Sequence, residues 1–295
     1  MINKTIFSIF KQGSRTYFYS SIFFPSYIKE DVFSLYAFVR KADNFVDSTP
    51  QDIQGFYDFK NNYYNAISGA KTDDVVIDSF VKLSEKKDFK PEWTEAFLKS
   101  MESDIKKSSY TSIEETIDYM YGSAEVIGLY MSKILDLPNQ AFYYAKYLGR
   151  SMQYINFIRD IAEDINLNRT YMPIEEIKEF GLNSLEYKHV KEFPEEFTNF
   201  IHKQLEYYCK WQTIAEEGYK FIPKKYLIPI KTAAEMYNWT ANQIYKNPYV
   251  IYNRQVKPMV KQIFTTTFLN IIDPKKNNNR LDLCILKNPT HQISY

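Results

Sequence analysis

The stretch NFIRDIAEDI at residues 156–165 places acidic and amide side chains and an arginine in what otherwise reads as a buried helix. At about 100° per residue, Asn156, Asp160 and Asp164 fall within roughly one quadrant of a helix. Two carboxylates about 4 Å apart repel each other by on the order of 4 kcal/mol at an intermediate dielectric constant. The spacing therefore predicts that a cation lies between Asp160 and Asp164.

A second acidic pattern, RKADNFVD, occupies residues 40–47 and places Asp43 and Asp47 four residues apart beside Arg40. One such pair alone is typical of a solvated helix face or a salt-bridge ladder. Both acidic patterns, however, are embedded in apolar sequence, namely Phe45, Val46, Tyr154, Ile155, Phe157, Ile158 and Ile161. These apolar neighbours favour two acidic faces that meet across an internal cavity.

Such a cavity would hold Mg²⁺, a hard cation that prefers oxygen ligands and leaves room for substrate phosphates. The predicted ligands are Asp43, Asp47, Asn156, Asp160 and Asp164. The site suits a diphosphate, whose charge Arg40, Arg159 and Arg169 can neutralise through bidentate contacts. Alternatively, Arg159 forms a surface pair with Glu163, four residues further along the helix.

The elements that position these residues are predicted to be helices. Only eight glycines occur, and the prolines leave long intervals in which apolar residues recur every three or four positions. We expect one helix over 31–47 that ends near Ser48–Pro50, one from 113 that Thr111 or Ser112 caps, and one continuous helix over 139–166. No alternating strand is found, so the prediction is an all-α fold of about ten to twelve helices.

The 295-residue chain is predicted to form a single helical domain over residues 1–272, followed by a polar tail over 273–295. A net charge of +1 argues against a nucleic-acid binder driven by bulk charge. Cys209 and Cys284 lack metal-ligand spacing and are expected to be free thiols in a reducing compartment. With no signal sequence or membrane-spanning stretch recognisable, we expect a cytoplasmic chain.

Five ordered blocks of the chain, between about Ser14 and Lys257, resemble the squalene/phytoene synthase family, whose members join two prenyl diphosphates head to head. The blocks are SRTYFYSSIFFP, LYAFVRKADNFVD, YMYGSAEVIG, LGRSMQYINFIRDIAEDINLNRTYMP and AAEMYNWTANQIYKNPYVIYNRQVKPMVK. The resemblance implies an isoprenoid-synthase-type helical bundle around a central cavity. The chain departs from many relatives at Asn44, where they have Asp, and at Glu125, where they have Gly.

The resemblance also implies roles for individual residues. Asp43 and Asp47 match the first Mg²⁺-binding pair, and Asn156, Asp160 and Asp164 match the second set, for two or three ions. Tyr119 matches the tyrosine that faces the reacting carbons. The implied substrate contacts are Ser14, Thr16, Tyr36, Arg40, Gln153, Arg159, Tyr237 and Arg254.

The family chemistry passes through carbocations, which water would quench, so the cavity is expected to be dry and lined by aromatic rings. The candidates for this lining are Tyr17, Phe18, Phe38, Tyr119, Phe157 and Tyr237. The implied reaction is the condensation of two geranylgeranyl diphosphates to phytoene, because SRTYFYSS is more like the phytoene branch. Squalene or dehydrosqualene synthesis from farnesyl diphosphate is the alternative, and squalene formation would also need NADPH.

Two further alternatives are a head-to-tail prenyl elongase or terpene cyclase, and a non-catalytic lipid-binding or assembly protein of the same fold. Retention of all five predicted ligand positions argues against the non-catalytic protein. Because long prenyl chains are barely soluble in water, we also expect peripheral contact with a membrane. The predicted contact segments are the aromatic residues 17–29 and the lysine-bearing residues 221–231.

Overall fold

The computed structural model describes residues 2–276, which form sixteen α-helices and no named strand. The first eight are α1 (Lys4–Gly13), α2 (Arg15–Ser21), α3 (Ser26–Asp47), α4 (Ile53–Ile67), α5 (Val75–Lys87), α6 (Pro91–Lys106), α7 (Ile113–Met120) and α8 (Val126–Ile134). The others are α9 (Gln140–Arg159), α10 (Ile161–Asn166), α11 (Ile174–Glu179), α12 (Tyr187–Val190), α13 (Pro194–Glu217), α14 (Lys224–Lys246), α15 (Val250–Asn253) and α16 (Val260–Ile272). The all-α prediction is confirmed, although the helices of the described part outnumber the ten to twelve expected.

The long helices α3 and α9 are the centres of two packed groups. Helix α3 packs against α1, α4, α5 and α6, whereas α9 packs against α8, α13 and α14. Each group has its own cluster of buried apolar side chains, and Tyr17 of α2 contacts both clusters. The first acidic pattern thus lies on the central helix of one group, and the second begins on the central helix of the other, at Asn156, and continues past its end.

Helix boundaries follow local chemistry at several of the predicted places. Helix α3 ends at Asp47, as predicted, before the proline at position 50. Ser112 caps α7 by accepting a hydrogen bond from the Glu115 amide, so Ser112 rather than Thr111 is the cap. A π-helical segment, Tyr121–Glu125, joins α7 to α8.

Close helix contacts on both sides of this junction require glycine. A Cβ added at Gly149 would lie 2.3 Å from the Ala124 carbonyl oxygen, and one at Gly128 would lie 2.1 Å from that of Ala145. Glu125, which departs from the family pattern, is buried and accepts a hydrogen bond from Arg150 Nε at 2.6 Å. The acidic side chain is therefore neutralised without disturbing the approach of α8 to α9.

Cys209 on α13 is disulfide-bonded. The expectation of a free thiol is therefore wrong for this residue, whereas Cys284 lies outside the described residues. The predicted polar tail, 273–295, also lies outside them except for residues 273–276. Across the described part of the chain, no helix is both long and apolar enough to span a bilayer.

Candidate active site

The carboxylates of α3 are each held by an arginine. Asp43 accepts a hydrogen bond from Arg40, one turn earlier on the same helix. Asp47, at the end of α3, accepts from Arg169 Nη1 at 2.8 Å, and the same guanidinium also donates to the Val46 carbonyl oxygen. Burial and then the Asp47 charge raise the pKa of Asp43 to about 7, although Arg40 opposes this rise.

The second acidic set lies where α9 gives way to α10. The prediction of one continuous helix over 139–166 is wrong, because the backbone leaves helical geometry at Asp160, with φ −98° and ψ 11°. Arg159 donates hydrogen bonds to both oxygens of the Asp160 carboxylate, with Nε 2.7 Å from Oδ1. The alternative pairing of Arg159 with Glu163 is wrong too, since Glu163 accepts from Gln255 Nε2 at 2.5 Å.

The two acidic sets face each other, and their charges interact. Burial, the charge of Asp160 on its own side and the charge of Asp47 on the opposite side together raise the pKa of Asp164 to about 8. Arg169 lowers the pKa of Asp164 while it also bonds Asp47. The Arg169 guanidinium therefore bonds one set and lies within electrostatic reach of the other.

The residues offered for Mg²⁺ have the chemistry of a hard-cation site. Asn156 Oδ1 is buried and has no hydrogen-bond partner among the described residues, which leaves an amide oxygen available as a ligand. Within residues 2–276, however, no three His, Cys, Asp or Glu side chains already stand in an arrangement that could hold a metal ion. Arg40 bonds one carboxylate oxygen of Asp43 and Arg159 bonds both of Asp160, so a metal ion would compete with these arginines for the two ligands.

Asp104 of α6 belongs to this site, although the sequence analysis did not predict it. Its buried carboxylate accepts hydrogen bonds from Tyr119 Oη at 2.7 Å and Tyr171 Oη at 2.8 Å. Burial raises the pKa of Asp104 to about 6, although both tyrosines and Arg169 oppose this rise. The predicted residue Tyr119 is thus fixed in place by a carboxylate rather than left free in the cavity.

Aromatic rings enclose this carboxylate. The Tyr119 centroid lies 5.2 Å from that of Tyr171 and 6.0 Å from that of Phe157, and Phe157 stacks on Tyr171 at 4.3 Å. The loop of Tyr171 is held by a backbone bridge between Ser109 and Thr170. A cluster of π-faces therefore borders the charged groups, as the carbocation chemistry of the family requires.

A lysine that the sequence analysis missed lies near the same arginines. Burial and the charges of Arg159 and Arg40 lower the pKa of Lys257, whereas Asp160 raises it. The predicted Arg254 is instead exposed at the end of α15, and its side chain makes no hydrogen bond or ion pair with other described residues. Three cationic groups, from Arg40, Arg159 and Lys257, therefore lie close enough for their charges to interact.

An apolar cavity extends away from these charged groups. Tyr17, Tyr36 and Gln153 line it near the charged end, and Tyr17 Oη lies 3.5 Å from Met152 Sδ. Along α9 the lining continues from Gln153 to Ala141, which corresponds to about 18 Å of helix. The structure therefore joins a charged mouth to a deep apolar tunnel.

The remaining predicted substrate contacts differ in whether they reach the site. Ser14 caps α2, and its hydroxyl also hydrogen-bonds Tyr36, whereas no side-chain contact connects Thr16 to the described site. Tyr237 is buried, its ring centroid lies 5.6 Å from that of Tyr17, and Arg159 lowers its pKa against the effect of burial.

Of the predicted lining residues, only Tyr17 lines the cavity. Tyr119, Phe157 and Tyr237 lie beside the charged groups, and Phe18 and Phe38 lie in the apolar core around α3. Phe38 stacks on Phe80 at 3.8 Å within the core around α3, and Phe18 packs edge-on against Phe10. Both lie on amphipathic helices, where the sequence pattern cannot separate a ring in the core from a ring in the cavity wall. For these two residues the predicted role in the lining is wrong.

Solved structures share this architecture. A dehydrosqualene synthase determined with a ligand superposes with a TM-score of 0.79 at 18% identity, covering 92% of this chain and 95% of that one. A squalene synthase from Alicyclobacillus acidocaldarius gives a TM-score of 0.73 at 17% identity, covering 82% and 92%. The helical fold is therefore that of the isoprenoid synthases.

Sequence comparison defines the family. The profile of "Squalene/phytoene synthase" matches residues 10–262, so the chain belongs to the squalene/phytoene synthase family and is a prenyl-transferring enzyme. A 15-cis-phytoene synthase from Pantoea ananas is 25% identical over 59% of this chain and 60% of its own length. A 4,4'-diapophytoene synthase from Staphylococcus haemolyticus is 22% identical over 83% of this chain and 88% of its own length.

Proposed function

We propose that this enzyme condenses two molecules of geranylgeranyl diphosphate head to head into phytoene, through a cyclopropylcarbinyl diphosphate and with Mg²⁺ as cofactor. The observation that carries the proposal is the junction of a carboxylate and arginine cluster with a deep apolar cavity. A prenyl diphosphate also has a charged part and an apolar part: its diphosphate would fit the charged cluster and its long hydrocarbon would fit the cavity. The phytoene synthases among the curated relatives support the choice of the C20 substrate.

Asp43, Asp47, Asn156, Asp160 and Asp164 are the residues that would hold Mg²⁺, through carboxylate and amide oxygens. The bound ions would supply positive charge that stabilises the diphosphate as a leaving group. The raised pKa values of Asp43 and Asp164 support this assignment, since carboxylates that repel one another gain most from a bound cation. A neighbouring carboxylate, Asp104, is excluded from the ligand set because two tyrosines already occupy it.

The arginines would exchange partners when substrate binds. Arg40 and Arg159 neutralise Asp43 and Asp160 in the described structure, and either guanidinium can turn to a diphosphate by the same bidentate geometry. Lys257 adds a third cationic group whose pKa is lowered by those arginines, and an incoming diphosphate would relieve that repulsion. These three residues therefore bind and orient the leaving group.

The chain's aromatic residues would protect the cationic intermediates. Ionisation breaks the C1–O bond of one allylic diphosphate, the double bond of the second substrate attacks C1, and loss of a proton closes the cyclopropane ring. Loss of the second diphosphate opens that ring, and a further proton leaves as the linear product forms. Tyr119, Phe157 and Tyr171 offer π-faces to the cations while their packing excludes water.

The C15 reaction is the second candidate, and one comparison favours it. The diapophytoene synthase relative is aligned over more of this chain than the Pantoea ananas enzyme is. Dehydrosqualene formation from farnesyl diphosphate needs no reductant, whereas squalene formation would need NADPH. The two candidates share the charged site and differ only in the length of chain that the cavity accepts.

Incubation of the purified enzyme with equal concentrations of farnesyl or geranylgeranyl diphosphate tests the proposal. Hydrocarbon products are identified by mass spectrometry, with Mg²⁺ present or removed by EDTA, and with or without NADPH. We expect phytoene from the C20 substrate, formed only with Mg²⁺ and unaffected by NADPH. Exclusive formation of a C30 product would transfer the assignment to the second candidate, and activity that survives EDTA would contradict the metal assignment.

A further inference from the structure

Helix α16 has the reverse of the usual amphipathic arrangement. Its buried positions are Ile263, Thr266, Thr267 and Asn270, three of which are polar. Its exposed large side chains are Phe264 (44%), Phe268 (62%), Leu269 (42%), Ile271 (46%) and Ile272 (64%), the number being the exposed fraction. In a surface helix that faces only water, the apolar stripe normally faces the core, so another apolar medium is needed to cover this one.

The polar side of α16 is fixed by specific contacts. Asn270 Nδ2 donates to Glu235 Oε2 at 2.8 Å and to Thr232 Oγ1 at 3.3 Å, both on α14. The Thr267 hydroxyl bonds the Ile263 carbonyl oxygen within the helix at 2.8 Å. Rotation of α16 to bury its apolar side would separate Asn270 from Thr232 and Glu235, so these two contacts fix the orientation of the helix.

The exposed apolar side of α16 continues onto the N-terminal helices. The Phe264 centroid lies 5.6 Å from that of Phe23 and 6.1 Å from that of Tyr19, at the end of α2. Tyr19 and Ile22 also line a groove shared with Phe7 of α1. We call this continuous surface the apolar face; it consists of Phe7, Tyr19, Ile22, Phe23, Phe264, Phe268, Leu269, Ile271 and Ile272.

The segments that carry the apolar face are basic and contain no acidic residue. Apart from Lys257 of the charged site, residues 2–29 and 256–272 contain Lys4, Lys11, Arg15, Lys29 and Lys261, and neither segment has an aspartate or glutamate. Lys11 and Lys29 line the same groove as Phe7, and Lys261 lies exposed one turn before Phe264. Such a basic rim around an apolar face complements anionic lipid headgroups over acyl chains.

We propose that the apolar face docks the enzyme on an anionic membrane, with the large side chains of α16 in the interface and the lysines at the headgroups. The predicted segment 17–29 belongs to this surface, through Tyr19, Ile22 and Phe23. The other predicted segment, 221–231, does not form it, because Ile222, Pro229 and Ile230 line the internal cavity instead.

Docking through this face would also serve the chemistry, and this step rests on the proposed function. Helix α2 and the turn after it separate the apolar face from the cavity, since Tyr17, Ser20, Ser21 and Phe24 line the cavity while Tyr19, Ile22 and Phe23 belong to the face. A hydrocarbon product would therefore need to pass only this thin layer to enter the bilayer. Docking of the enzyme on a membrane depends only on the apolar face and its lysines, and not on which reaction the enzyme catalyses.

Flotation of the purified full chain with vesicles tests docking. Vesicles of phosphatidylcholine are compared with vesicles that contain one third phosphatidylglycerol, at low and high salt. We expect the full chain to bind the anionic vesicles, and high salt to weaken this binding. Two double variants, Phe268→Ser with Ile272→Ser and Lys11→Gln with Lys261→Gln, should each partition onto the vesicles about tenfold more weakly. The matched control is Ile67→Ser, which removes an exposed apolar side chain (49% exposed) at the end of α4.

Three results would overturn the proposal. They are absence of vesicle binding by the full chain at low salt, equal binding by the Phe268 and Ile272 double variant, and a change of that variant from dimer to monomer by light scattering. The dimer result would mean that a second copy of the chain covers the face. Diphosphate release in detergent, expected to be unchanged in every variant, separates failure of docking from failure of the proposed reaction.

Discussion

The charged mouth and the apolar far end of the cavity are built by different means. At the mouth, carboxylates and guanidinium groups from α3, α6 and the α9–α10 junction are held by hydrogen bonds, several of them between neighbours in sequence. At the far end, the cavity exists because Gly128 and Ala145 let α8 and α9 come close while Ala141 leaves space open. We therefore expect substitutions at the mouth to change the rate of the reaction and substitutions at the far end to change the length of the chain that is accepted.

Loss of a carboxylate at the mouth should have the largest effect. We expect Asp43→Asn or Asp160→Asn to lower turnover by about a thousandfold. Each substitution removes a carboxylate that would bind Mg²⁺, and the bound Mg²⁺ would stabilise the negative charge of the departing diphosphate. The helical circular dichroism should remain, since removal of a repulsive charge costs no packing. Asp118→Asn, an exposed carboxylate on α7, is the control and should keep full activity. Unfolding together with lost activity would show that these aspartates are structural.

Filling the far end should change selectivity rather than chemistry. Ala141→Phe places a ring in the cavity about 18 Å along α9 from Gln153. We expect kcat/KM for the C20 substrate to fall at least tenfold relative to that for the C15 substrate, since the longer chain meets the new ring. Gln140→Phe, on the exposed neighbouring position, should leave the ratio unchanged. An equal loss for both substrates would place the hydrocarbon elsewhere.

Tyr119 belongs to the charged mouth through its hydrogen bond to Asp104, and its hydroxyl and its ring can be tested separately. Tyr119→Phe keeps the ring and loses the hydrogen bond to Asp104, so we expect about a tenfold loss of rate. Tyr119→Ala also removes the π-face and leaves a buried cavity, so we expect a larger loss of rate and about 3–5 kcal/mol less stability. If both variants lose the same activity, the aromatic ring has no role in the reaction.

The smallest effect concerns stability and pH. The pKa values of Asp43 and Asp164 are raised to about 7 and about 8, so between about pH 4 and pH 8 the folded state binds more protons than the unfolded state. The contribution of these groups to the free energy of unfolding therefore falls as the pH rises through that window. We expect Mg²⁺ to raise the melting temperature by more at pH 8 than at pH 6, because protons compete for the same oxygens.

The Asp43→Asn, Asp164→Asn double variant should lose most of this Mg²⁺ effect and should be relatively more stable than the parent at pH 8 without metal. Asp118→Asn again serves as the control. Equal Mg²⁺ effects in the parent and the double variant would locate metal binding at other groups.

Sequence reasoning found the mouth because its signals are local. Asp43 and Asp47 share a regular helix with Arg40, and Asn156, Asp160 and Asp164 recur at the helical period, so spacing alone indicates that each set lies together. The break at Asp160 was not predicted because no glycine or proline marks it. That break coincides with the bidentate contact from Arg159, which a propensity pattern does not reveal.

Asp104 was missed because residues far from it in the sequence create its surroundings. Asp104 stands between Glu102 and Lys106 near the end of α6, in a sequence that looks like a solvated helix end, and only Tyr119 and Tyr171 from other elements make it a buried acceptor. The far end of the cavity was not predicted either, because the sequence does not show which neighbouring helices a small residue faces and so whether it leaves space open.

The central claim is that two diphosphates leave for each hydrocarbon formed. With geranylgeranyl diphosphate as the only prenyl substrate and Mg²⁺ present, released diphosphate and the C40 product should be quantified in the same reaction. The account predicts two diphosphates per phytoene and no product of intermediate length. One diphosphate per coupling, with a longer prenyl diphosphate as product, would show head-to-tail elongation and contradict the account.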